Sequence, residues 1–384
     1  MEIQNIIDDK KEFYSLLLEF IEDQTNCIDN FIILTKYIET QKVGENRDDL
    51  KELLHLISKI SNNHYRYPNF FDKIEQILSI FESKIKQTFS NFKIFKQFKN
   101  NKRILLSLFE KKIIIPDIKI TQYILKKKDA NFRLYFHPEF SPFLTPEERV
   151  KHDRDVMRNG SIFFFDYENN RKIGQNDSYI CELIRNDNVE DFISHVTKNN
   201  IPFSYQIQKS FYETNPFLID KTPSLIEYSA FFGSIQIFQF LFGRQDKEDI
   251  QPSIWLYAIH GKNAEMIHFL EDNKIEPEGK SFKKLLFESI KCHHNDIANY
   301  IINNSSNFEF DSFDENIHAV SFRYYNYSFF PDDFMNKYAF CHLCEFDYLS
   351  FVKLLVRSQS LNINDRVILK KKIFFDVSIQ IFNS

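Results

Sequence analysis

Glycine is scarce in this chain, which has only 7 glycines among 384 residues. Nucleotide-binding α/β enzymes use glycines for tight turns and for close approach of the backbone to phosphate, and neither a Walker nor a Rossmann pattern occurs here. His137, His260 and His318 each stand alone, with no nucleophile or carboxylate at a recognised catalytic spacing. A triad could still assemble from distant positions, because geometry and not sequence order defines it. The sequence favours a protein that is not an enzyme, with no cofactor and no small-molecule substrate.

Cysteine and long apolar runs are also scarce. Five scattered cysteines are too few for a disulfide scaffold, which favours a reducing compartment. Apolar runs such as residues 162–165 fall far short of the roughly 20 residues that span a bilayer. The first residues have neither a basic region nor the apolar stretch of a secretory signal. We therefore expect a soluble, cytoplasmic protein.

The overall charge excludes a general electrostatic attraction to polyanions. The net charge is −5 and the isoelectric point is near 6.2, so the molecule as a whole does not attract nucleic acid or an anionic membrane. Any such binding would have to be local. We expect no membrane partner and regard nucleic acid as the less favoured partner.

Residues 225–241 have the order of a pair of antiparallel helices. The preceding Thr222-Pro223 predicts a helix start, because a hydroxyl caps free N–H groups and proline suits the first turn. The small residues Ser229 and Ala230 would let a neighbour approach closely, and Gly233 is placed where the chain reverses with positive φ. The second helix then carries an apolar stripe: Ile237, Phe238 and Leu241.

The same frame recurs along the second half of the chain. Pro223 and Pro252 precede the turn residues Gly233 and Lys262 by the same distance, and small residues recur at Ala258 and Ser289. The other predicted turn residues are Asn188, His293 and Asp347, of types that tolerate the left-handed conformation. The predicted stripes of these copies are Met266, Ile267 and Leu270; Ile297, Ala298 and Ile301; Phe192, Ile193 and Val196; and Phe351, Val352 and Leu355.

These features resemble a known family. Residues 176–185, followed by residues 223–233, are similar to the divergent ankyrin-like proteins that form large families in some protists and giant viruses. The resemblance covers about residues 160 to 360. It implies stacked helix pairs and a protein-binding scaffold, although the full Thr-Pro-Leu-His signature never occurs.

The first half is predicted to be helical without a clear repeat. Apolar residues recur at helical spacing over residues 13–37, 48–60 and 70–89. Another helix is predicted to begin at Thr145-Pro146 and to end at Asn159-Gly160.

The predicted fold is therefore all-α, with an N-terminal helical region followed by an ankyrin-like helix-pair solenoid. We assign residues 1–160 to the helical region, residues 161–360 to the repeats, and residues 361–384 to an irregular cap or a truncated repeat. One continuous helical solenoid over the whole chain is the alternative.

The predicted partner-binding residues lie just before each turn. In stacked helix pairs of this kind, the ends of the first helices and the turn tips form the concave face. The alternative is that the two phenylalanines before Gly233 only pack against the next repeat, and their exposure decides between the two. The candidate residues are Phe231, Phe232, His260, Lys291, Glu345 and Phe346.

Two further patterns suggest chemistry. Cys341-His342-Leu343-Cys344, with Cys292-His293-His294 one copy earlier, resembles zinc ligands, but Cys344 falls at the small buried position of its helix. We therefore predict packing and no metal.

Residues 89–103 interleave phenylalanine with lysine, as single-strand nucleic-acid binders do. Helical spacing favours a buried aromatic face here, and a nucleic-acid-associated protein is the alternative function.

Overall fold

The computed structural model describes residues 2–25, 28–127, 129–158, 166–304, 314–331 and 337–357. Within these residues the fold is helical, with short 3-10 helices and one isolated antiparallel bridge between Gln206 and Ser224. The prediction of an all-helical chain is confirmed for this part of the sequence.

The described residues before residue 160 form eleven α-helices. They are α1 (Glu2–Glu22), α2 (Ile28–Thr40), α3 (Arg47–Asn63), α4 (Phe70–Ile80), α5 (Glu82–Thr88), α6 (Asn91–Phe98), α7 (Lys102–Glu110), α8 (Ile118–Lys126), α9 (Ala130–Tyr135), α10 (His137–Phe140) and α11 (Pro146–Arg158). A 3-10 helix at Ser141–Phe143 lies between the last two.

The later helices come mostly in pairs. They are α12 (Tyr167–Ile173), α13 (Tyr179–Arg185), α14 (Val189–Lys198), α15 (Leu225–Phe232), α16 (Ile235–Phe242), α17 (Ile254–Gly261), α18 (Ala264–Asp272), α19 (Lys283–Lys291), α20 (Asn295–Asn304), α21 (Asp314–Tyr324), α22 (Lys337–Glu345) and α23 (Leu349–Arg357). The 3-10 helices here are Lys247–Asp249, Glu278–Lys280 and Tyr327–Phe329.

The chain forms two compact units, of which unit 1 joins segments that are distant in sequence. Unit 1 contains residues 1–60, 66–74 and 286–384, and unit 2 contains residues 61–65 and 75–285. The predicted division at residues 160 and 360 falls outside the described residues, as does the predicted cap at 361–384. That division stays a prediction.

The helices of the first half begin and end for local reasons. The predicted helix over residues 13–37 is two helices, because Asp23 Oδ1 accepts hydrogen bonds from the backbone N–H and the hydroxyl of Thr25 and so closes a turn. Helix α11 begins at Pro146 as predicted. Thr145 and Glu148 cap each other there, at 3.0 and 3.3 Å. The predicted end at residues 159–160 lies outside the described residues.

The predicted start of α15 is wrong by two residues. The capping residue is Ser224 and not Thr222: Ser224 Oγ accepts from the N–H of Glu227, and Glu227 Oε2 accepts from the N–H of Ser224 at 2.9 Å. Pro223 stands just before the cap. Glu227, three residues after Ser224, is the signal in the sequence that identifies Ser224 and not Thr222 as the capping residue.

Most of the predicted turn residues are confirmed. Gly233, Lys262, His293 and Asp347 all have positive φ. The prediction for Asn188 is wrong by one residue, since Asp187 takes the left-handed conformation. Asn188 instead caps α14, accepting from the N–H of Asp191.

One turn escaped sequence analysis. Tyr325 has positive φ between α21 and the 3-10 helix Tyr327–Phe329, which takes the place of a second helix. An aromatic residue is a poor left-handed candidate, and a second helix of three residues has no apolar stripe to detect.

The apolar stripes and small residues are buried as predicted, with two exceptions. Cys344, predicted at the small buried position of its helix, is half-buried. Ile193 is exposed, so that prediction is wrong, while Phe192 and Val196 of the same helix α14 are buried. The buried small residues are Ser229, Ala230, Ala258 and Ser289.

Candidate partner-binding surfaces

A recurring hydrogen bond ties three of the turns, those at Gly233, Tyr325 and Asp347, to the helix pair before each of them. The donor is the side chain of the residue directly after the left-handed residue. The acceptor is a backbone carbonyl in the preceding pair, three residues before the left-handed residue of that pair. The bonds are Ser234 Oγ to Ile184 O (2.5 Å) in unit 2, and Asn326 Nδ2 to Ile290 O (3.0 Å) and Tyr348 OH to Phe322 O (2.9 Å) in unit 1. Serine, asparagine and tyrosine share this role because it requires only a donor that reaches a buried carbonyl.

Helices α15 and α17 meet backbone to backbone. A Cβ atom built on Gly261 would lie 2.3 Å from the carbonyl oxygen of Ala230, which is closer than any side chain tolerates. Asn263 Nδ2 adds a hydrogen bond of 3.0 Å to the carbonyl of Gly233. The small side chain predicted at Ala230 therefore does permit a close approach.

Two of the predicted partner-binding residues lie inside unit 2. Phe231 is 5% exposed and His260 is 3% exposed. Phe217, from the segment between α14 and α15, covers both, with ring centroids 5.7 Å from Phe231 and 4.1 Å from His260. This is the arrangement that the packing alternative predicts for Phe231. Phe232 is half-buried, and its carbonyl accepts a 3.0 Å hydrogen bond from Tyr65 OH.

The predicted residues of unit 1 lie closer to the surface. Lys291 is half-buried and donates to Glu288 at 2.7 Å. Glu345 is exposed, with Oε2 3.5 Å from His342 Nδ1. Phe346 is half-buried, and it is the centre of a larger cluster on the surface of α21 and α22.

We call this cluster the Phe346 surface and define it as Arg323, Tyr338, His342, Glu345 and Phe346. The His342 ring stacks on Phe346 at 5.9 Å with an interplanar angle of 14°, and the Arg323 guanidinium lies 5.5 Å from the Phe346 ring centroid. Tyr338, one helical turn before His342, is 51% exposed. The repeat frame predicted Glu345 and Phe346 but not the other three. Arg323 lies two residues before the left-handed Tyr325, the same offset as Glu345 from Asp347, and it was missed because that turn was not predicted.

The N-terminal helices of unit 1 hold its turns. Tyr14 OH lies 2.8 Å from His293 Nδ1, and Lys51 forms an ion pair with Asp347. The ring of His55 stacks parallel to Tyr325 at 5.4 Å. No local signal in the sequence announces these contacts, since the partners lie hundreds of residues apart.

A buried ionic group completes this arrangement. Glu52 is fully buried; its Oε1 accepts a 3.0 Å hydrogen bond from the N–H of Ser350, and its Oε2 lies 3.3 Å from Lys10 Nζ. A side chain of α3 thus caps the start of α23. Burial raises the pKa of Glu52, against the opposing effect of Lys10. Burial lowers the pKa of Lys10, but Glu52 and Asp49 outweigh it and hold that pKa above its usual value.

His55 is a second perturbed group in unit 1. Burial lowers the pKa of its imidazole to about 4, although Asp347, with Oδ2 3.8 Å from His55 Nε2, opposes the shift. The ring is therefore neutral at neutral pH, and it must gain a proton when the protein unfolds in mild acid.

The cysteines that resemble zinc ligands lie in two places. Cys341 and Cys344 lie on α22, and Cys292 lies between α19 and α20. Burial raises the pKa of the half-buried Cys344 thiol to about 12. Cys292 is fully buried, and burial raises its pKa well above the usual value. Both are neutral thiols at neutral pH. The neighbouring His293 is hydrogen-bonded to Tyr14.

The phenylalanine–lysine pattern of residues 89–103 is only partly at the surface. The packing interpretation predicts a buried face made of Phe89, Phe92 and Phe95. Phe95 is buried as predicted, whereas Phe89 and Phe92 are half-buried; Phe98 is buried as well. Lys102 and Arg103 are also buried: Lys102 Nζ donates to the carbonyl of Phe211 at 2.9 Å, and Arg103 pairs with Glu75 at 2.7 Å. These two cations stabilise unit 2 from within.

One histidine that sequence analysis treated as solitary has a partner. His137 Nδ1 lies 2.7 Å from Nε2 of the buried His152. Burial lowers the pKa of His137. The two rings come from neighbouring helices, α10 and α11, and their separation in sequence matches no motif.

Comparisons with protein families, with curated proteins and with solved structures find no match to this chain. Within the described residues, none of the helices combines the length and the apolar character that crossing a membrane requires. The proposals that follow therefore rest on the geometry and charge of this chain alone.

Proposed function

We propose that this chain is a non-catalytic scaffold that binds another protein and is built on divergent ankyrin-like helix pairs. The recurring left-handed turns, and the hydrogen bond that joins three of them to the preceding pair, support the architecture. Both features concern stacking, and neither arranges groups for catalysis. None of the described cysteines forms a disulfide, which suits a cytoplasmic scaffold.

The Phe346 surface carries the binding part of the proposal. Tyrosine, arginine and phenylalanine are enriched at the energetic centres of protein interfaces, because they bury a large area and still offer hydrogen bonds or charge. Here Arg323 is exposed beside the half-buried Phe346 ring, and Tyr338 is exposed one helical turn before His342, which stacks on that ring. Phe346 would form the apolar centre, and Arg323 and Glu345 would form a charged rim.

The experiment is capture of a partner by the immobilised full chain, compared among three forms. The test variant is Tyr338→Ala with Glu345→Ala, which removes two exposed side chains of the Phe346 surface. The matched control is Tyr179→Ala with Glu182→Ala, which removes the same two residue types from the exposed face of α13. Circular dichroism would first establish that all three forms are folded.

We expect mass spectrometry to identify a protein that the wild type and the control retain equally. With that protein purified, the test variant should bind about thirtyfold more weakly, the usual size of a loss at an interface centre. Equal affinity for all three forms, or retention of nucleic acid in place of a protein, would contradict the proposal.

A further inference from the structure

The charge of this molecule is unevenly distributed. Residues 91–127, which form α6, α7 and α8, contain ten lysines and arginines and only two acidic residues, in a chain whose net charge is −5. The two acidic residues are occupied: Asp117 caps α8, and Glu110 lies 3.4 Å from Lys172. Two of the ten cations, Lys102 and Arg103, are buried, and Lys111 pairs with Glu75 at 3.4 Å. The other seven make this part of unit 2 basic, whereas the rest of the chain is acidic.

The basic surface is built on a fixed aromatic ring. Lys96 Nζ and Lys119 Nζ lie 5.0 and 4.6 Å from the centroid of Phe92, so two cations from different helices share one ring. The N–H of Ile115 donates to Asn91 Oδ1 at 3.4 Å, which ties the segment before α8 to the start of α6.

Two isoleucines project from this same surface. Ile115 is 60% exposed and Ile118 is 68% exposed, on either side of Pro116 and Asp117. Lys112, just before them, is also exposed. Isolated exposed isoleucines are ordinary. Two of them beside several lysines, on a segment fixed at both ends, form a surface that is both apolar and cationic.

We propose that this surface, which we call the Phe92 platform and define as Phe92, Lys96, Ile115, Ile118 and Lys119, docks the protein on an anionic phospholipid bilayer. The lysine ammonium groups would meet headgroup phosphates, and the two isoleucines would enter the boundary between headgroups and acyl chains. Repulsion between the bilayer and the acidic remainder of the chain would fix the orientation. The expectation of no membrane partner rested on the average charge, which conceals this local excess.

The exposed apolar groups favour lipid over nucleic acid. Single-strand binders offer free aromatic faces for base stacking. Here the Phe92 ring already packs against two lysines and against Tyr123, at 5.8 Å between centroids. The fully exposed apolar side chains are aliphatic, which suits insertion among lipids and does not suit stacking on bases.

The experiment is sedimentation of the full chain with vesicles. One set contains phosphatidylcholine alone, and the other contains phosphatidylcholine with phosphatidylserine. We expect binding only to the phosphatidylserine vesicles, and weaker binding as salt is raised, because salt screens exposed charges. Ile115→Ser with Ile118→Ser should weaken it about tenfold or more, because both apolar insertions are lost. Lys96→Gln with Lys119→Gln should weaken it and reduce its dependence on salt.

The matched control is Ile28→Ser with Ile32→Ser, which makes the same change at two exposed isoleucines of α2. It should bind like the wild type. Circular dichroism checks that each variant is folded. Absence of binding to phosphatidylserine vesicles at low salt would overturn the proposal, as would equal losses in the Ile115/Ile118 variant and the control.

Fluorescence anisotropy with a labelled single-stranded oligonucleotide tests the nucleic-acid alternative. Tighter binding to the oligonucleotide than to vesicles would assign the platform to nucleic acid.

Discussion

The two units secure the same kind of turn in different ways. In unit 2 the turn at Gly233 lies against Gly261, and Gly261 lies against the Ala230 carbonyl, so that backbone packs against backbone. In unit 1 the turns at His293 and Asp347 are held by side chains from the N-terminal helices. A left-handed turn thus fixes the geometry of a helix pair without fixing the chemistry that holds it.

The difference determines what each unit tolerates. Backbone packing leaves no room for an extra atom, but it is indifferent to pH. Buried ionisable groups leave more room for substitution, but their contribution depends on proton uptake.

Ala230→Asp should have the largest effect. The side chain is fully buried beside Gly261, so the new carboxyl would be placed without a partner. We expect a loss of about 4 kcal/mol or more in the free energy of unfolding, measured by chemical denaturation. Ala264→Asp is the control: Ala264 is exposed in the first turn of α18, where a carboxylate is favourable. Equal stability of the Ala230 variant and the wild type would show that the repeat register is wrong.

Gly261→Ala should come next, because one methyl group would meet the Ala230 carbonyl at 2.3 Å. Since both atoms belong to packed helices, we expect a loss of roughly 3 kcal/mol. Gly243→Ala provides the comparison: its added Cβ would find its nearest neighbour at 3.5 Å, an ordinary contact, so stability should hold or rise slightly. Similar melting temperatures for the two variants would refute the tight approach of α15 and α17.

The third effect concerns pH and belongs to unit 1. Because the folded-state pKa of His55 is lowered to about 4, the unfolded chain binds more protons between that value and the usual 6.5. Stability should therefore rise with pH across this window and be lost as pH falls through it. His55→Phe keeps an aromatic ring on Tyr325 but removes the titration. The stability difference between pH 7 and pH 4 should shrink by about 2 kcal/mol. Unfolding curves that respond to pH identically in both proteins would exclude His55 as the source.

The smallest expected effect distinguishes Ser224 from Thr222 as the residue that caps α15. Ser224→Ala removes the side chain that caps the helix and should cost about 1 kcal/mol, measured by thermal unfolding. Thr222→Ala, at an exposed residue outside the cap, should cost almost nothing. The reverse order would restore Thr222 as the start of the helix.

Local patterns predicted local structure well. The apolar stripes and four of the five turn residues could be predicted, because helical periodicity and tolerance of positive φ are properties of short segments. The turn at Tyr325 could not, since its second helix is too short to show a period. The Asp187 turn was displaced by one residue because Asn188, beside it, is an equally good candidate.

The candidate surfaces were less predictable than the helices. An offset from the turn selected Phe231 and Glu345 alike, yet one is buried beneath Phe217 and the other is exposed. What covers a residue depends on segments far away in the sequence. Tyr14 on His293 and Glu52 at the start of α23 are such long-range contacts, and no single-sequence pattern encodes them.

The short 3-10 helix Tyr327–Phe329 indicates which part of a helix pair can change in length during evolution. Where it replaces a full second helix, the hydrogen bonds from Asn326 to Ile290 and from Tyr348 to Phe322 are both kept. Alignment of successive pairs thus depends on the first helices and the turns, and the second helix is free to change in length. Insertions and deletions should accumulate there, which would erase a regular repeat length while the stacking survives.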